Sequence, residues 1–351
     1  MFQRILVPLD GSPRAELALP VAARLARASG GMVMLTQIVQ ALAEFEVGAI
    51  APTTWAPAAR PMERKDASVY LHKVAASESL EGVTTETGVY AGPVAAMLLL
   101  AARTRGADLI VMTTRGLSGF TRWALGSVAE KVAQLSPVPV LLLREPGGMP
   151  LISAERMGLL TALVALDGSG FSEASLVPAS EIVRALAAPS PGALHLVRVL
   201  DTVDAATLGA DGGGQYLSAE ETQEWALQQA KAYLEETAER LRERLGADAP
   251  HMTWSVVVNP QVGTYEADVA SAILRTAEEG EPVEGATAPT RCSLVVMATH
   301  GRTGLSHMLL GSITQRVLRT TTLPLLVVRP HTAEIKPETQ SDQAISAGGG
   351  Q

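Results

Sequence analysis

The sequence holds a single cysteine, Cys292, in 351 residues. One thiol can neither close an internal disulfide nor anchor a multi-cysteine zinc site. The apolar run beside it, Leu294 to Met297, predicts a buried, inert thiol rather than a nucleophile. Long apolar runs are missing too. The longest, Val94 to Ala102, falls far short of the ~20 residues that span a bilayer. Met1 to Asp10 contain neither a long apolar segment nor a cleavage site, so no secretory signal is expected and the cytoplasm is the expected location. A basic excess is also absent: 28 Lys+Arg stand against 36 Asp+Glu, a net charge of −8. Residues 1–150 carry 14 basic and 12 acidic side chains, and residues 151–351 carry 14 and 24. General nucleic-acid binding needs a basic footprint and is not expected. No Gly-x4-Gly-Lys-(Ser/Thr) loop is present, which argues against a P-loop motor. No His/Cys/Asp spacing suggests a dedicated metal site.

What the sequence does contain is a repeat of itself. Ile5-Leu6-Val7-Pro8-Leu9-Asp10-Gly11-Ser12 returns as Ala162-Leu163-Val164-Ala165-Leu166-Asp167-Gly168-Ser169. Leu109-Ile110-Val111-Met112-Thr113-Thr114-Arg115-Gly116 returns as Leu294-Val295-Val296-Met297-Ala298-Thr299-His300-Gly301. Each copy then has a Gly-Ser pair, Gly126-Ser127 and Gly311-Ser312, and closes on a proline-led apolar run, Pro139 to Arg144 and Pro324 to Arg329. The copies are offset by 157 residues at the start and 185 at the end, so the second holds 28 more. Most of these are expected in two polar stretches, Ala210 to Gln215 and Glu281 to Thr290.

Within the first copy, apolar strand-like runs alternate with helical patterns. Strands are expected over 3–9, 32–39, 84–89, 108–113 and 138–143. Helices are expected over 15–28 (kinked at Pro20), 61–80, 94–104 and 127–135. Strands alternating with helices imply βαβ units around a parallel sheet. Continuous Val/Leu/Ile runs fit strands covered on both faces. Proline at the start of strand five marks it as an edge strand. The copies are expected to form domains over 1–146 and 158–330, with a linker at 147–157 and a disordered tail at 331–351.

In an open parallel sheet, ligands sit beyond the carboxyl ends of the strands, where strand order reverses. Asp10-Gly11-Ser12 and Asp167-Gly168-Ser169 follow strand one of each copy, and a glycine loop follows strand four. That loop ends at a helix start, where unpaired N–H groups and the helix dipole favour an anion. Glycine lets backbone approach a phosphate without a clashing Cβ. Ser127 and Ser312 add a hydroxyl. The same serines also fit a purely structural role, since Ser127 to Glu130 and Ser312 to Gln315 have the spacing of capping boxes.

The order of Asp, then Gly-x9-Gly-Ser, then a proline-led strand resembles the universal stress protein family, most strongly over Met297 to Ser312. The resemblance spans nearly the whole chain. It implies two tandem flavodoxin-like, adenine-nucleotide-hydrolase-like α/β domains, each a five-stranded parallel sheet of order 3-2-1-4-5 with helices on both faces. In the second copy it places phosphates at Gly301, Gly311 and Ser312, with Thr314 assisting, ribose near Asp167 and adenine near Val199. Met297, Ala298, His300 and Ile313 complete that pocket. In the first copy the corresponding residues are Pro8, Asp10, Ile38, Met112, Thr113, Gly116, Gly126, Ser127 and Val128. Where the family's nucleotide-binding pattern has its first glycine, the copies have Thr113 and Ala298; a β-branched threonine is the worse fit if positive φ is required there. The first copy also has Arg115 for His300 and Ala129 for Thr314, so the second is expected to bind ATP more tightly.

Three functions follow. The first is a stress or signalling protein that binds ATP, with magnesium arriving if at all with the phosphates, and hydrolyses it slowly or not at all. The second is a nucleotide-free interaction scaffold. The third is a transferase or hydrolase, for which one Asp per pocket supplies too few acid–base groups. The copies are expected to form an intramolecular pseudo-dimer, each fifth strand against the other; a homo-oligomer of the whole chain stays open. His195 and the tryptophans Trp123 and Trp254 are expected to be packing or interface residues.

Overall fold

The computed structural model describes residues 2–39, 61–114, 125–144, 151, 159–200, 219–258, 268–280, 291–299 and 310–330. The first copy runs β1 (Arg4–Leu9), α1 (Pro13–Glu16), α2 (Leu19–Ser29), β2 (Met32–Val39), α3 (Pro61–Ala75), β3 (Thr84–Ala91), α4 (Val94–Thr104), β4 (Leu109–Thr113), α5 (Ser127–Leu135) and β5 (Val140–Leu143). The second runs β6 (Thr161–Ala165), α6 (Gly170–Glu173), α7 (Leu176–Ala187), β7 (Ala193–Leu200), α8 (Ala219–Leu245), β8 (His251–Val258), α9 (Val269–Glu279), β9 (Leu294–Ala298), α10 (Ser312–Thr320) and β10 (Leu325–Val328).

One expected helix is two. Pro20 does not kink a continuous helix; it stands in the first turn of α2, after α1 has ended. Proline has no N–H to donate, so it starts a helix more readily than it continues one.

The strands make one sheet in the order β3-β2-β1-β4-β5-β10-β9-β6-β7-β8. Each half is therefore parallel and ordered 3-2-1-4-5. The halves meet antiparallel, Leu142 opposite Leu325, Leu141 opposite Leu326 and Val140 opposite Val327. The proline-led fifth strands are edges of their own halves but the middle of the whole, and the free edges among the described residues are β3 and β8. The central strands are buried throughout: β4, β5, β9 and β10 expose no residue to solvent.

Two apolar layers cover the sheet, and each runs through both halves. One gathers α2, α3, α7 and α8 over Ile5, Val7, Leu35 and Val164. The other gathers α4, α5, α9 and α10 over Leu6, Met34, Ile110 and Val295. Polar contacts also cross the seam. The Arg144 guanidinium donates to the Leu318 carbonyl, Arg24 donates to the Ala188 carbonyl at 2.6 Å, and Arg319 pairs with Glu130 at 2.7 Å.

The added residues of the second copy are spread more widely than expected. The offset between equivalent elements is 157 at β1/β6, 161 at β2/β7, 167 at β3/β8, 175 at α4/α9 and 185 at β4/β9. Only six extra residues fall between β7 and β8, the interval that holds Ala210 to Gln215. Ten fall between α9 and β9, the interval that holds Glu281 to Thr290; both polar stretches lie outside the described residues.

Candidate functional site

β1 lies between β2 and β4, so the loops after β1 and β4 share one end of the sheet, at the point where strand order reverses. The equivalent point in the second half lies between β6 and β9. Three strands bring Pro8, Ile38 and Met112 to this end. Ile38 and Met112 belong to the apolar layer under α4 and α5, and Val128 packs against the same layer. Pro8 is two residues beyond Leu6, which sits in that layer, and so points to the same face. Val199 and Met297 repeat the arrangement in the second half. Ile313, the counterpart of Val128, is 40% exposed.

The Asp-Gly-Ser turns are built alike. Asp10 Oδ1 accepts from the Ser12 N–H at 3.0 Å and from its hydroxyl at 2.6 Å; Asp167 accepts from Ser169 at the same two distances. Gly11 and Gly168 take φ of +84° and +89°, the left-handed region that favours glycine. Ser12 and Ser169 then cap α1 and α6, accepting from Ala15 and Ser172 N–H groups. Each aspartate is thus fixed by its own turn, with one oxygen engaged locally. The signal was present in the sequence, since an aspartate bonding two residues on, followed by glycine, is turn chemistry.

The glycine loop after strand four differs from expectation in three ways. First, Gly126 and Gly311 are the N-caps of α5 and α10, and neither helix has a side-chain cap. Ser127 and Ser312 are the first helical residues, so the capping-box geometry is not formed; both are exposed. Second, Gly126 (φ −71°) and Gly311 (φ −55°) have ordinary extended backbone, so room rather than unusual φ is what these positions can require. A Cβ added at Gly311 would stand 3.2 Å from the Thr299 carbonyl oxygen. Third, Thr113 and Ala298 end β4 and β9, so neither position needs positive φ and the threonine is not a misfit. Thr314 is buried, and its hydroxyl donates to the Ala298 carbonyl at 2.9 Å, holding α10 onto β9.

Both loops are closed at the base in the same way. Gly126 donates to the Thr114 carbonyl and Gly311 to the Thr299 carbonyl, each at 2.8 Å. Thr114 and Thr299 in turn donate to Leu143 and Val328 at the ends of the fifth strands. Gly116, His300 and Gly301 lie outside the described residues.

Side chains away from this end behave as packing. Both ring nitrogens of His195 meet hydroxyls, Thr253 at 2.8 Å and Ser255 at 3.0 Å. Cys292 is buried, and desolvation pushes its thiol up to about 12. Not foreseen from sequence is a tyrosine repeated in the two halves. The Tyr70 hydroxyl donates to Glu16 at 2.8 Å, and Tyr233 lies under the Arg198 guanidinium, 5.2 Å from the ring centroid.

Because Ser312 caps nothing, Ser312→Ala is expected to leave the melting temperature within about 1 °C of wild type, where loss of a true N-cap costs about 1 kcal/mol. A thermal melt of the full chain checks this.

The fold and this end of the sheet define a class: a fused pair of doubly wound α/β domains with an uncapped, glycine-started helix after each fourth strand. The universal stress protein family model matches residues 1–144 and again 160–329, and the chain belongs to that family. A universal stress protein of Mycolicibacterium smegmatis is 26% identical over 334 residues, covering 93% of this chain and 97% of that one. The Bacillus subtilis universal stress protein YxiE is 31% identical over 148 residues, all of its own length and 41% of this chain. Among solved structures, a universal stress protein from Archaeoglobus fulgidus is similar in fold, with 20% identity and a TM-score of 0.56, covering 93% of this chain and 98% of that one.

Proposed function

We propose that this is a stress-response protein that binds adenine nucleotide, ATP foremost, at the strand ends of each half, with slow or no hydrolysis and tighter binding in the second half. One observation carries the reading. The helices after β4 and β9 begin at glycine with no side-chain cap, so among the described residues no side chain takes up their first N–H groups. Such a terminus suits a phosphate. The donors available fit the group: backbone N–H groups, the Ser127 and Ser312 hydroxyls, and an apolar wall of Ile38 and Met112 or Val199 and Met297 for a flat base. Asp10 and Asp167 would face the ribose. Among the described residues no three His, Cys, Asp or Glu side chains gather to hold a metal, so magnesium would depend on the phosphates for its ligands.

The ranking of the halves now rests on a residue other than Thr113, Arg115 and Ala129. Glu130, in the first turn of α5, has Gln315 as its counterpart in α10. A carboxylate near a helix N-terminus opposes an incoming anion; an amide does not.

Nucleotide analysis of the freshly purified, denatured protein, followed by calorimetry with ATP, tests the reading. Adenine nucleotide is expected in the supernatant, and two sites of unequal affinity in the titration. Gly126→Val should remove the weaker one. Neither copurified nucleotide nor heat of binding would leave the interaction-scaffold reading in its place.

A further inference from the structure

The two helices that carry the proposed phosphate sites are joined by an ion pair across the seam. Glu130 and Gln315 hold the same place in their helices: the Glu130 N–H closes the first turn of α5 on the Gly126 carbonyl at 3.0 Å, and the Gln315 N–H closes that of α10 on the Gly311 carbonyl at 2.8 Å. Glu130 is met across the seam, for its carboxylate accepts from Arg319. Arg319 comes from the last turn of α10 and reaches Glu130 Oε1 at 2.7 Å. The Arg319 hydrogen bond holds the Glu130 carboxyl below the usual range. The arrangement is symmetric in place and asymmetric in charge. α5 and α10 are nine residues each, so Arg319 has Gln134 as its counterpart. The first half thus carries a carboxylate beside its anion site, and the charge that offsets it belongs to the second half.

We propose that Arg319 is a positioning residue for the first half's ligand: by neutralising Glu130 across the seam, it permits a polyphosphate at the α5 N-terminus. This rests on the nucleotide reading above and deepens it. Glu130 lies about four residues, roughly 6 Å along the axis, from the N-cap. That is inside the ~8 Å Debye length of physiological salt, so its charge is felt at the site. Removing Arg319 leaves that charge exposed to the ligand. Removing Glu130 as well restores a neutral first turn like that of α10.

The test uses the full chain carrying Gly311→Val, so that calorimetry with ATP reads the first half alone. Arg319→Met should weaken binding about threefold to tenfold, and the loss should shrink toward nothing near 1 M salt, where screening falls to ~3 Å. Glu130→Gln should tighten binding. The double variant Glu130→Gln, Arg319→Met should return to within about twofold of the parent. A salt-independent loss shared by the single and double variants would assign Arg319 to packing and overturn the proposal, as would unchanged affinity in Arg319→Met. If the wild-type chain binds no nucleotide, the nucleotide reading fails and this inference with it. If it binds and the variants do not follow the pattern, this inference alone fails.

Discussion

Gly311→Val is expected to lower the second half's affinity for ATP at least a hundredfold while the protein stays folded. Gly311 is the N-cap of α10, with φ of −55° and ψ of 145°, values that other residues adopt without strain. The effect therefore comes from occupied space. A Cβ here stands 3.2 Å from the Thr299 carbonyl oxygen and 3.9 Å from the Thr314 hydroxyl, a tight fit that a shift of a few tenths of an ångström relieves. The γ-methyls of valine would add bulk beside the first N–H groups of the helix. Hydrogen bonds from such groups to a charged ligand are worth about 1.5–3 kcal/mol each. Losing two gives roughly 3–6 kcal/mol, which is a hundredfold or more in affinity. Gly192 is the contrast. An added Cβ there would lie 2.2 Å from Val183 Cγ1, inside a packed layer, so Gly192→Ala should lower the melting temperature. Calorimetry and thermal melting of both variants separate ligand room from core room. Wild-type ATP affinity in Gly311→Val would remove the phosphate cradle from this helix.

Much of this end of the molecule was legible in the sequence. Buried parallel strands write themselves as unbroken apolar runs, and β2 (Met32–Val39), α4 (Val94–Thr104) and α5 (Ser127–Leu135) fall where periodicity puts them. The alternation of strands with helices implied parallel strands, the duplication implied two such halves, and the resemblance supplied strand order. What spacing could not separate was Ser at N-cap from Ser at the next position. Both satisfy the Ser-x-x-Glu pattern, and a shift of one residue changes a capping hydroxyl into an available one. Nor could spacing show that Thr314 is tied to Ala298, a contact between residues far apart in the chain.

The seam contacts were illegible for a related reason. Glu130 and Arg319 lie 189 residues apart and belong to different copies of the repeat. Within either helix each reads as an ordinary exposed charge. Only the antiparallel pairing of β5 with β10 brings α5 beside α10. Proline at the start of each fifth strand hinted at an exposed edge, and the fold resolves that edge by giving it the other copy as a partner.

Leu326 tests how much that partnership supports the whole. It sits in β10 between Leu141 of the other half and Val296 of its own, and it is fully buried. Truncation to alanine removes three heavy atoms from a site walled by strands on both sides and helices on one face, where little can collapse into the space. Such changes cost about 2–5 kcal/mol. For a chain of this size that is a fall in melting temperature of roughly 3–7 °C. Leu326→Asp should be far worse. A carboxylate placed there would stand in the apolar layer that holds Leu326, with Leu141, Val296 and Val328 as neighbours. Burying it unpaired costs several kcal/mol beyond the lost packing, comparable to the 5–15 kcal/mol that stabilises a typical domain. The expected result is a chain recovered unfolded or aggregated, with the free edges of β5 and β10 as the sticky surfaces. Leu17→Ala, at a position 42% exposed, should leave the melting temperature nearly unchanged. Soluble yield and thermal melts of the three variants make the comparison. A Leu326→Ala protein melting within about 1 °C of wild type would mean that the two halves are not held together by this strand pair.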